Sequence, residues 1–213
     1  MSAPDAVIFD LDGTLWDTCD PCAASWNRLL RARGLAFREI RGDDLRRVAG
    51  RPHEECVRTV MAGLPEPELR ALVEITMAED NRVIEQEGGV LYAGVREGLH
   101  ALAARHRLFI VSNCASGYIE AFLRWSKLGE LFEDHECWGD TRLSKGRNAE
   151  RIVQRNALRR PVLVGDTDGD RDAARAAGID FIQVTYGFCV PLEGAAQAAS
   201  FPALVDDLAR RWD

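Results

Sequence analysis

The stretch VIFDLDGTLWDT, residues 7–18, places two aspartates directly after a short apolar run. An apolar run of this kind is typical of a buried strand. Asp10 and Asp12 are separated by one residue, and alternate residues of an extended chain share a face. The two carboxylates would therefore lie on the same side. Two like charges at the end of a buried strand require a positive partner.

The composition indicates an ordinary globular protein. With 213 residues, 46% of them hydrophobic and 29% charged, the chain can form one core, or a core and a smaller lobe. The formal net charge of -7 argues against binding to nucleic acid, because such binding relies on clustered lysine and arginine. No window approaches the roughly 18 apolar residues of a membrane span, so we expect no membrane association and a cytoplasmic location.

The cysteines of the chain are scattered through a protein much larger than a disulfide-stapled domain, which favours reduced thiols. Cys19 and Cys22 form a CxxC motif in TCDPC. A redox or zinc site would need a βαβ context or a second pair of ligands, and the sequence has neither. We therefore base no functional prediction on the CxxC motif.

Strands and helices alternate in the second half of the chain. Continuous apolar runs that end in polar residues suit the buried strands of a parallel sheet covered on both faces. Helical stretches at 116–126 and 147–158 separate these runs. The sequence therefore predicts an α/β fold, with a Rossmann-like parallel sheet core flanked by helices. The runs that predict strands are residues 7–10, 106–113, 159–170 and 179–187.

Residues 19–87 have a different pattern, with no strand-like run and with apolar residues three and four apart. Breaks that contain glycine and proline divide the segment into about four helices. This pattern predicts an α-helical cap inserted directly after the first strand. We expect the cap to span residues 18–87 and the sheet core to comprise residues 1–17 and 88–213.

Polar residues follow the predicted strands at the edge where open parallel sheets bind ligands. Five carboxylates in a single crevice with one lysine would repel one another, and a divalent cation resolves this repulsion. Hard oxygen ligands favour Mg²⁺ over zinc, and no histidine falls at a strand end. An EF-hand is excluded, because Arg171 and Ala177 occupy the positions of its glycine and glutamate. The residues concerned are Asp10, Asp12, Ser112, Asn113, Lys145, Asp166, Asp168 and Asp170.

The combination of DLDGT at 10–14, a strand that ends in Ser112, Lys145 and GDTDGD at 165–170 resembles the haloacid dehalogenase superfamily. Four motifs in the family's order, over nearly the whole chain, are much more specific than a single DxD. Within the superfamily the chain is similar to phosphatases with a helical cap after the first strand. The YGF stretch at 186–188 resembles the subgroup around phosphoglycolate phosphatase.

The resemblance implies a Mg²⁺-dependent phosphatase that works through an aspartyl-phosphate. Asp10 would be the nucleophile, and Asp12 the general acid and base. Lys145 would neutralise charge on Asp10 and on the transferring group. Mg²⁺ would be held by the Asp10 carboxylate, the Asp12 backbone carbonyl and Asp166. Asp170 fits the family's second acidic position in the metal site.

The same resemblance implies substrate contacts. Ser112 and the Asn113 amide would bind phosphate oxygens, and Thr14 would fix the nucleophile loop by hydrogen bonding. Substrate choice would reside in the cap, where the Arg51 guanidinium could meet a second anionic group. The partner would be a small phosphorylated metabolite, and the chain a monomer or a homodimer.

Two other functions stay open at this stage. A phosphomutase uses the same aspartate pair and passes the phosphoryl group to a sugar hydroxyl instead of water. A non-catalytic regulatory module that binds phosphate or metal is the other. Dehalogenation and phosphonate cleavage are disfavoured, because family members with those activities lack an acid at the position of Asp12. Gly146 departs from the proline that is frequent after the motif lysine in the phosphoglycolate phosphatase subgroup, so we expect a small phosphomonoester and name no single one.

Overall fold

The computed structural model describes residues 4–210. Its strands are β1 (Ala6–Phe9), β2 (Trp16–Asp17), β3 (Val90–Leu91), β4 (Arg107–Ser112), β5 (Phe132–Cys137), β6 (Pro161–Gly165), β7 (Asp180–Val184) and β8 (Ala196–Ala198). Six of them form one sheet in the order β5-β4-β1-β6-β7-β8, in which every neighbouring pair is parallel. The predicted α/β fold with a Rossmann-like parallel sheet is confirmed.

Helices connect the strands and cover the sheet. They are α1 (Cys19–Ala32), α2 (Gly42–Arg46), α3 (His53–Val60), α4 (Glu66–Gln86), α5 (Val95–Ala103), α6 (Tyr118–Ser126), α7 (Trp138–Thr141), α8 (Lys145–Arg155), α9 (Asp168–Ala177) and α10 (Phe201–Arg210). A 3₁₀ turn at Gly129–Leu131 leads into β5. Within residues 4–210, none of the helices has the length and apolar character needed to span a membrane.

The side chains of the central strand alternate between two apolar layers. Val7 and Phe9 face the layer that contains α5 and α10, where Phe9 stacks on Phe201 with 5.8 Å between ring centroids. Ala6 and Ile8 face the layer that contains α8 and α9. Because both faces of the sheet are covered, its inner strands are mostly apolar. Most polar residues are left to the strand ends, and the buried Gln183 of β7 is an exception that hydrogen-bonds a backbone carbonyl.

The helices α1 to α4 lie between β2 and β3, which agrees with the expected number of helices in this segment. The two short strands pair antiparallel, with Trp16 opposite Leu91, where the chain leaves the sheet and where it returns. Helix α4 packs against α6. The division into a cap of residues 18–87 and a core remains a proposal. Residues 1–3 and 211–213 of the expected core lie outside the described residues.

Two strands of the sheet lack the apolar pattern that identified the other four. β5 reads FEDHEC and lies at one edge of the sheet, where charged side chains are tolerated and protect the unpaired backbone. β8, at the opposite edge, has only three residues and is too short to show a pattern. The strands found in the sequence, β1, β4, β6 and β7, are the four inner strands.

Candidate active site

Three aspartates meet at the carboxyl edge of the sheet. Asp10 follows β1 and Asp166 follows the neighbouring β6, so the fold brings these two carboxylates together. Asp170 lies in the first turn of α9. One carboxylate oxygen from each aspartate lies within 4.8 Å of the others, and all three side chains are buried. The structure thus gathers three of the predicted site residues into one cluster.

Lys145 is the cation of this cluster. It is the first residue of α8, and its side chain is only 6% exposed. Its Nζ donates a hydrogen bond to Oδ1 of Asp10 and lies 2.5 Å from Oδ1 of Asp170. One ammonium group therefore contacts two of the three carboxylates. With all three ionised, the cluster keeps an excess of negative charge.

Asp168 and Asp170 look alike in the sequence but have different environments in the first turn of α9. Oδ2 of Asp170 accepts hydrogen bonds from the backbone N–H and the hydroxyl of Thr167, at 2.9 and 2.6 Å, which caps the helix. Asp168 is exposed, and its Oδ1 accepts a hydrogen bond from the N–H of Gly169. Asp168 lies outside the cluster, which makes it a matched control for the buried aspartates.

The loop after β7 holds Asp166. The backbone N–H of Phe188 donates to Oδ2 of Asp166 at 2.7 Å. The other carboxylate oxygen, Oδ1, is buried and has no hydrogen-bond partner among the described residues. A Cβ at Gly13 would lie 2.6 Å from Oδ2 of Asp166, and one at Gly187 would lie 2.5 Å from the Asp166 Cβ. Both positions therefore require glycine for the close approach of the backbone.

These features fit a divalent cation. Burial, with the charges of Asp10 and Asp170, raises the pKa of Asp166 to about 8. Burial also raises the pKa of Asp10, against the lowering effect of Lys145. A cation among these oxygens would supply the missing positive charge and a partner for Oδ1 of Asp166. A donor set made only of carboxylate oxygens favours hard cations such as Mg²⁺ over zinc.

The Asp12 carboxylate is not part of this cluster. Its Oδ1 accepts a 2.8 Å hydrogen bond from the hydroxyl of Tyr118, whose oxygen lies 2.6 Å from that of Thr18. Burial and the neighbouring charge of Asp10 raise the pKa of Asp12 to about 7. Such a carboxyl can both give and take a proton near neutral pH. The predicted metal contact of Asp12 concerns its backbone carbonyl and stays a prediction.

Two tyrosines of the site were not predicted from the sequence. Tyr118 begins α6 and contacts Asp12, and no motif in the sequence indicated it. Tyr186 donates a 2.8 Å hydrogen bond to the backbone carbonyl of Thr14, and its place in the YGF stretch was the only signal. The Thr14 hydroxyl in turn donates to Oδ2 of Asp10 at 3.2 Å. Thr14 is fully buried and contacts the Asp10 carboxylate through this bond. Its predicted role in fixing the nucleophile loop stays a prediction.

A cavity of about 110 Å³ lies between the edge of the sheet and the α1–α4 segment. Ser112 is buried in its wall, and Arg51 is exposed at its border. The Arg51 guanidinium forms no ion pair with any of residues 4–210. The cavity thus gathers most of the residues predicted to catalyse the reaction or to contact the substrate. Those that line it are Asp10, Asp12, Arg51, Ser112 and Asn113.

Asn113 links the two sides of the cavity. Its side-chain amide donates a 2.7 Å hydrogen bond to the backbone carbonyl of Gly50. Gly50 has a φ of +85°, and a Cβ there would lie 3.1 Å from the Thr167 side chain. The α2–α3 loop therefore lies directly against the carboxyl edge of the sheet. In this arrangement the Asn113 side chain holds the loop, and its predicted contact with phosphate remains a prediction.

Four thiols line the same cavity. Burial raises the pKa of Cys56 to about 12 and raises the pKa values of the other three above their ordinary value. Protonated thiols are weak nucleophiles and weak metal ligands, and each of these cysteines is a free thiol. The CxxC motif therefore contributes to the wall of the cavity. The four are Cys19, Cys22, Cys56 and Cys114.

Comparison with known proteins gives matches over most of the chain. The model of the family described as haloacid dehalogenase-like hydrolase matches residues 7–184. The phosphoglycolate phosphatase of Nitrosospira multiformis is 33% identical over 204 residues, which cover 86% of this chain and 84% of the relative. The phosphoglycolate phosphatase of Rhodobacter capsulatus is 30% identical over 203 residues, which cover 92% and 91%.

Solved structures share the fold. A hydrolase of the haloacid dehalogenase-like family from Streptococcus pneumoniae superposes with a TM-score of 0.83, over 97% of this chain and 99% of that chain. Its sequence identity is 19%, so this likeness concerns the fold alone.

Proposed function

The chain belongs to the haloacid dehalogenase-like hydrolases, and from this premise we propose that it is a Mg²⁺-dependent phosphatase of small phosphomonoesters, with Asp10 as the nucleophile. The observation that carries the proposal is the environment of Asp10. This carboxylate accepts a hydrogen bond from Lys145 and lies in a cluster with Asp166 and Asp170. It also lines the same cavity as Asp12.

In the first step, a carboxylate oxygen of Asp10 attacks phosphorus, and the bond between phosphorus and the ester oxygen breaks. Asp12 gives its proton to the leaving oxygen, so the alcohol departs neutral. Lys145 offsets the negative charge on Asp10 and on the transferring group. The Thr14 hydroxyl restrains the carboxylate of Asp10. The product of this step is an aspartyl-phosphate and a free alcohol.

In the second step, the ionised Asp12 takes a proton from water as the water oxygen attacks phosphorus. The bond between phosphorus and the Asp10 oxygen breaks, which releases inorganic phosphate and restores both carboxyl groups. A raised pKa of about 7 suits Asp12 to both directions of proton transfer. The Tyr118 hydroxyl fixes the orientation of the Asp12 carboxyl group during both proton transfers.

The carboxylates of Asp10 and Asp166 would hold the cation, with Asp170 beside them and the Asp12 backbone carbonyl as a further ligand. When bound, Mg²⁺ would neutralise charge on the phosphate oxygens. Oδ1 of Asp166, buried and without a hydrogen-bond partner among the described residues, supports this assignment.

The substrate is proposed to be small, because the cavity is enclosed by the sheet edge and the helices α1 to α4. Ser112 and Asn113 line the same wall as Asp10 and would bind the phosphate oxygens. The two relatives named above are phosphoglycolate phosphatases, which makes phosphoglycolate one candidate. Its carboxylate would meet the unpaired guanidinium of Arg51.

Release of inorganic phosphate from p-nitrophenyl phosphate tests the proposal. The parent should release phosphate only with Mg²⁺, and Asp10→Asn should release none. Asp168→Asn makes the same chemical change on an exposed residue of the site region and should behave like the parent. Absence of release from any phosphomonoester would favour a binding module. Isomerisation of sugar phosphates without net release would favour a phosphomutase.

A further inference from the structure

A group of polar and aromatic side chains from the α1–α4 segment lines the cavity. We define the cap-end pocket by Cys22, Trp26, His53 and Asp80, which come from α1, α3 and α4 and line the same cavity as Asp10. Nothing in the two-step reaction uses these side chains. A substrate bound through its phosphate at Asp10 would share the cavity with these side chains.

Asp80 is a buried carboxylic acid without a basic partner. Its side chain is 8% exposed, and Oδ1 accepts a 2.9 Å hydrogen bond from the indole N–H of Trp26. The nearby Cys22 thiol, like the Trp26 indole, lowers the pKa of the Asp80 carboxyl against the effect of burial. No lysine or arginine in residues 4–210 pairs with it. Neutral donors compensate only part of the free energy that an ionised carboxylate loses on leaving water.

The ring of His53 does not supply the missing charge. The Thr76 hydroxyl donates to the Leu72 carbonyl at 2.6 Å, so at 3.0 Å from Nε2 of His53 its oxygen acts as acceptor. Nε2 therefore carries the ring proton, and in the neutral ring Nδ1 has a lone pair. Nδ1 lies 3.8 Å from Oδ2 of Asp80, too far for a hydrogen bond.

Nδ1 of His53 and Oδ2 of the ionised Asp80 are thus two acceptor atoms, 3.8 Å apart, at the wall of the cavity, where one donor group on the cavity side could contact both. Burial lowers the pKa of His53 to about 4, so the ring is neutral near pH 7. A group that bridges these two atoms must donate hydrogen bonds. Burial raises the pKa of Asp80 to about 8, so a positive charge on the bound group would also favour the ionised Asp80 carboxylate near pH 7. A primary ammonium group meets both requirements, whereas a carboxylate meets neither.

We propose that the cap-end pocket binds the ammonium group of the substrate, so that the preferred substrate is the phosphomonoester of a small amino alcohol or of a hydroxyl-bearing amino acid. This inference rests on the proposed phosphatase function and names its substrate class. The Arg51 guanidinium borders the same cavity and would take the carboxylate of a phosphoamino acid. Phosphoethanolamine, which lacks that carboxylate, isolates the contribution of the cap-end pocket.

A matched pair of substrates tests the proposal on the unmutated chain. Phosphoethanolamine and 2-hydroxyethyl phosphate have the same length and differ only in an ammonium group or a hydroxyl group at the far end. We expect kcat/KM to be higher for phosphoethanolamine by at least about tenfold, the effect of one charge-assisted hydrogen bond. O-phosphoserine should be accepted as well. Equal values for the matched pair, or a preference for phosphoglycolate over both, would overturn the inference.

The variant Asp80→Asn adds a second, independent readout. The amide keeps an oxygen for the Trp26 N–H and removes the negative charge. Its kcat/KM should fall at least about tenfold more for phosphoethanolamine than for p-nitrophenyl phosphate, which has no ammonium group. A merely structural role of Asp80 predicts equal losses on both substrates. Asp168→Asn controls for the loss of one negative charge near the site.

The outcomes also separate this inference from the proposed function. If no phosphomonoester releases phosphate, the phosphatase function itself fails. If p-nitrophenyl phosphate is hydrolysed in an Asp10-dependent reaction but the ammonium substrate has no advantage, the phosphatase function stands and the role of the cap-end pocket is wrong.

Discussion

The hydroxyl of Tyr118 donates a 2.8 Å hydrogen bond to Oδ1 of Asp12, a residue that precedes it by 106 positions. Tyr118 begins α6, and Asp12 follows β1. Asp12 is the proposed acid and base, and this hydrogen bond orients its carboxyl group. Proton transfer would therefore depend on a tyrosine that belongs to none of the sequence motifs. We therefore propose Tyr118 as a positioning residue for the reaction.

Tyr118→Phe should lower kcat about tenfold for an alkyl phosphate, because the hydrogen bond that orients Asp12 is lost. The loss should be smaller for p-nitrophenyl phosphate, whose phenolate departs without help from an acid. Steady-state kinetics on both substrates measure the difference. Equal losses on the two substrates, or a rise in KM alone, would contradict a role in protonation of the leaving group.

Lys145→Met tests whether the Lys145 ammonium group compensates the charges of Asp10 and Asp170. Methionine fills similar space but leaves two buried carboxyl groups without their basic partner. Removal of one member of a buried ion pair costs about 3 kcal/mol of unfolding free energy, and we expect a loss of that order in urea unfolding. Phosphate release should fall by at least about a hundredfold. A variant with parental stability would show that Lys145 does not compensate the carboxylates.

Asp166→Asn should have opposite effects with and without a divalent cation. In EDTA above pH 8, where the Asp166 carboxyl ionises, the variant should be at least as stable as the parent, because an unpaired buried charge is replaced by a neutral amide. Saturating Mg²⁺ should raise the unfolding temperature of the parent by about 5 °C and leave the variant nearly unchanged. Thermal unfolding with and without MgCl₂ measures both. Asp168→Asn should respond to Mg²⁺ as the parent does.

The buried Asp80 carboxyl should make the free energy of unfolding depend on pH. Burial raises its pKa from 3.8 to about 8 in the folded protein, so between these pH values the folded state binds more protons than the unfolded chain. The free energy of unfolding should fall as the pH rises through this range. His53 acts in the opposite sense below pH 6.5, because burial lowers its pKa from 6.5 to about 4. Above pH 6.5 the effect of His53 fades, while Asp12 and Asp166, with pKa values of about 7 and 8, titrate in the same range as Asp80.

Asp80→Asn should flatten this dependence. Between pH 6.5 and 8, the parent should lose about 1.6 kcal/mol more of its unfolding free energy than the variant does. Urea unfolding in EDTA at each pH measures the difference, and the other buried carboxyl groups cancel because both proteins contain them. Parallel profiles for the two proteins would mean that the Asp80 carboxyl does not change its ionisation in this range.

The sequence predicted the parts of the molecule whose signal is local. The four inner strands were identifiable because burial on both faces makes each a continuous apolar run. Asp10, Lys145 and Asp166 were identifiable because they follow such strands or begin a helix. The edge strand β5 was missed because it has no continuous apolar run. Charged side chains are tolerated at the edge of a sheet, where one side of the strand meets solvent.

The rest of the site depends on contacts that only the folded chain creates. Nothing around Tyr118 in the sequence distinguishes it from a tyrosine of the core. The sequence also gave His53 no functional role, since its neighbours Thr76 and Asp80 lie more than twenty positions away on α4. The difference between Asp168 and Asp170 arises from the helical turn, which exposes the first and buries the second.

The central claim is that Asp10 takes the phosphoryl group covalently. Acid quenching during turnover of phosphoethanolamine or p-nitrophenyl phosphate with Mg²⁺, followed by peptide mass spectrometry, tests it most directly. The account predicts one phosphoryl group on the peptide that contains Asp10, labile to base, and none in Asp10→Asn. Sustained turnover with no phosphoryl group on that peptide, or with the group on another residue, would contradict it.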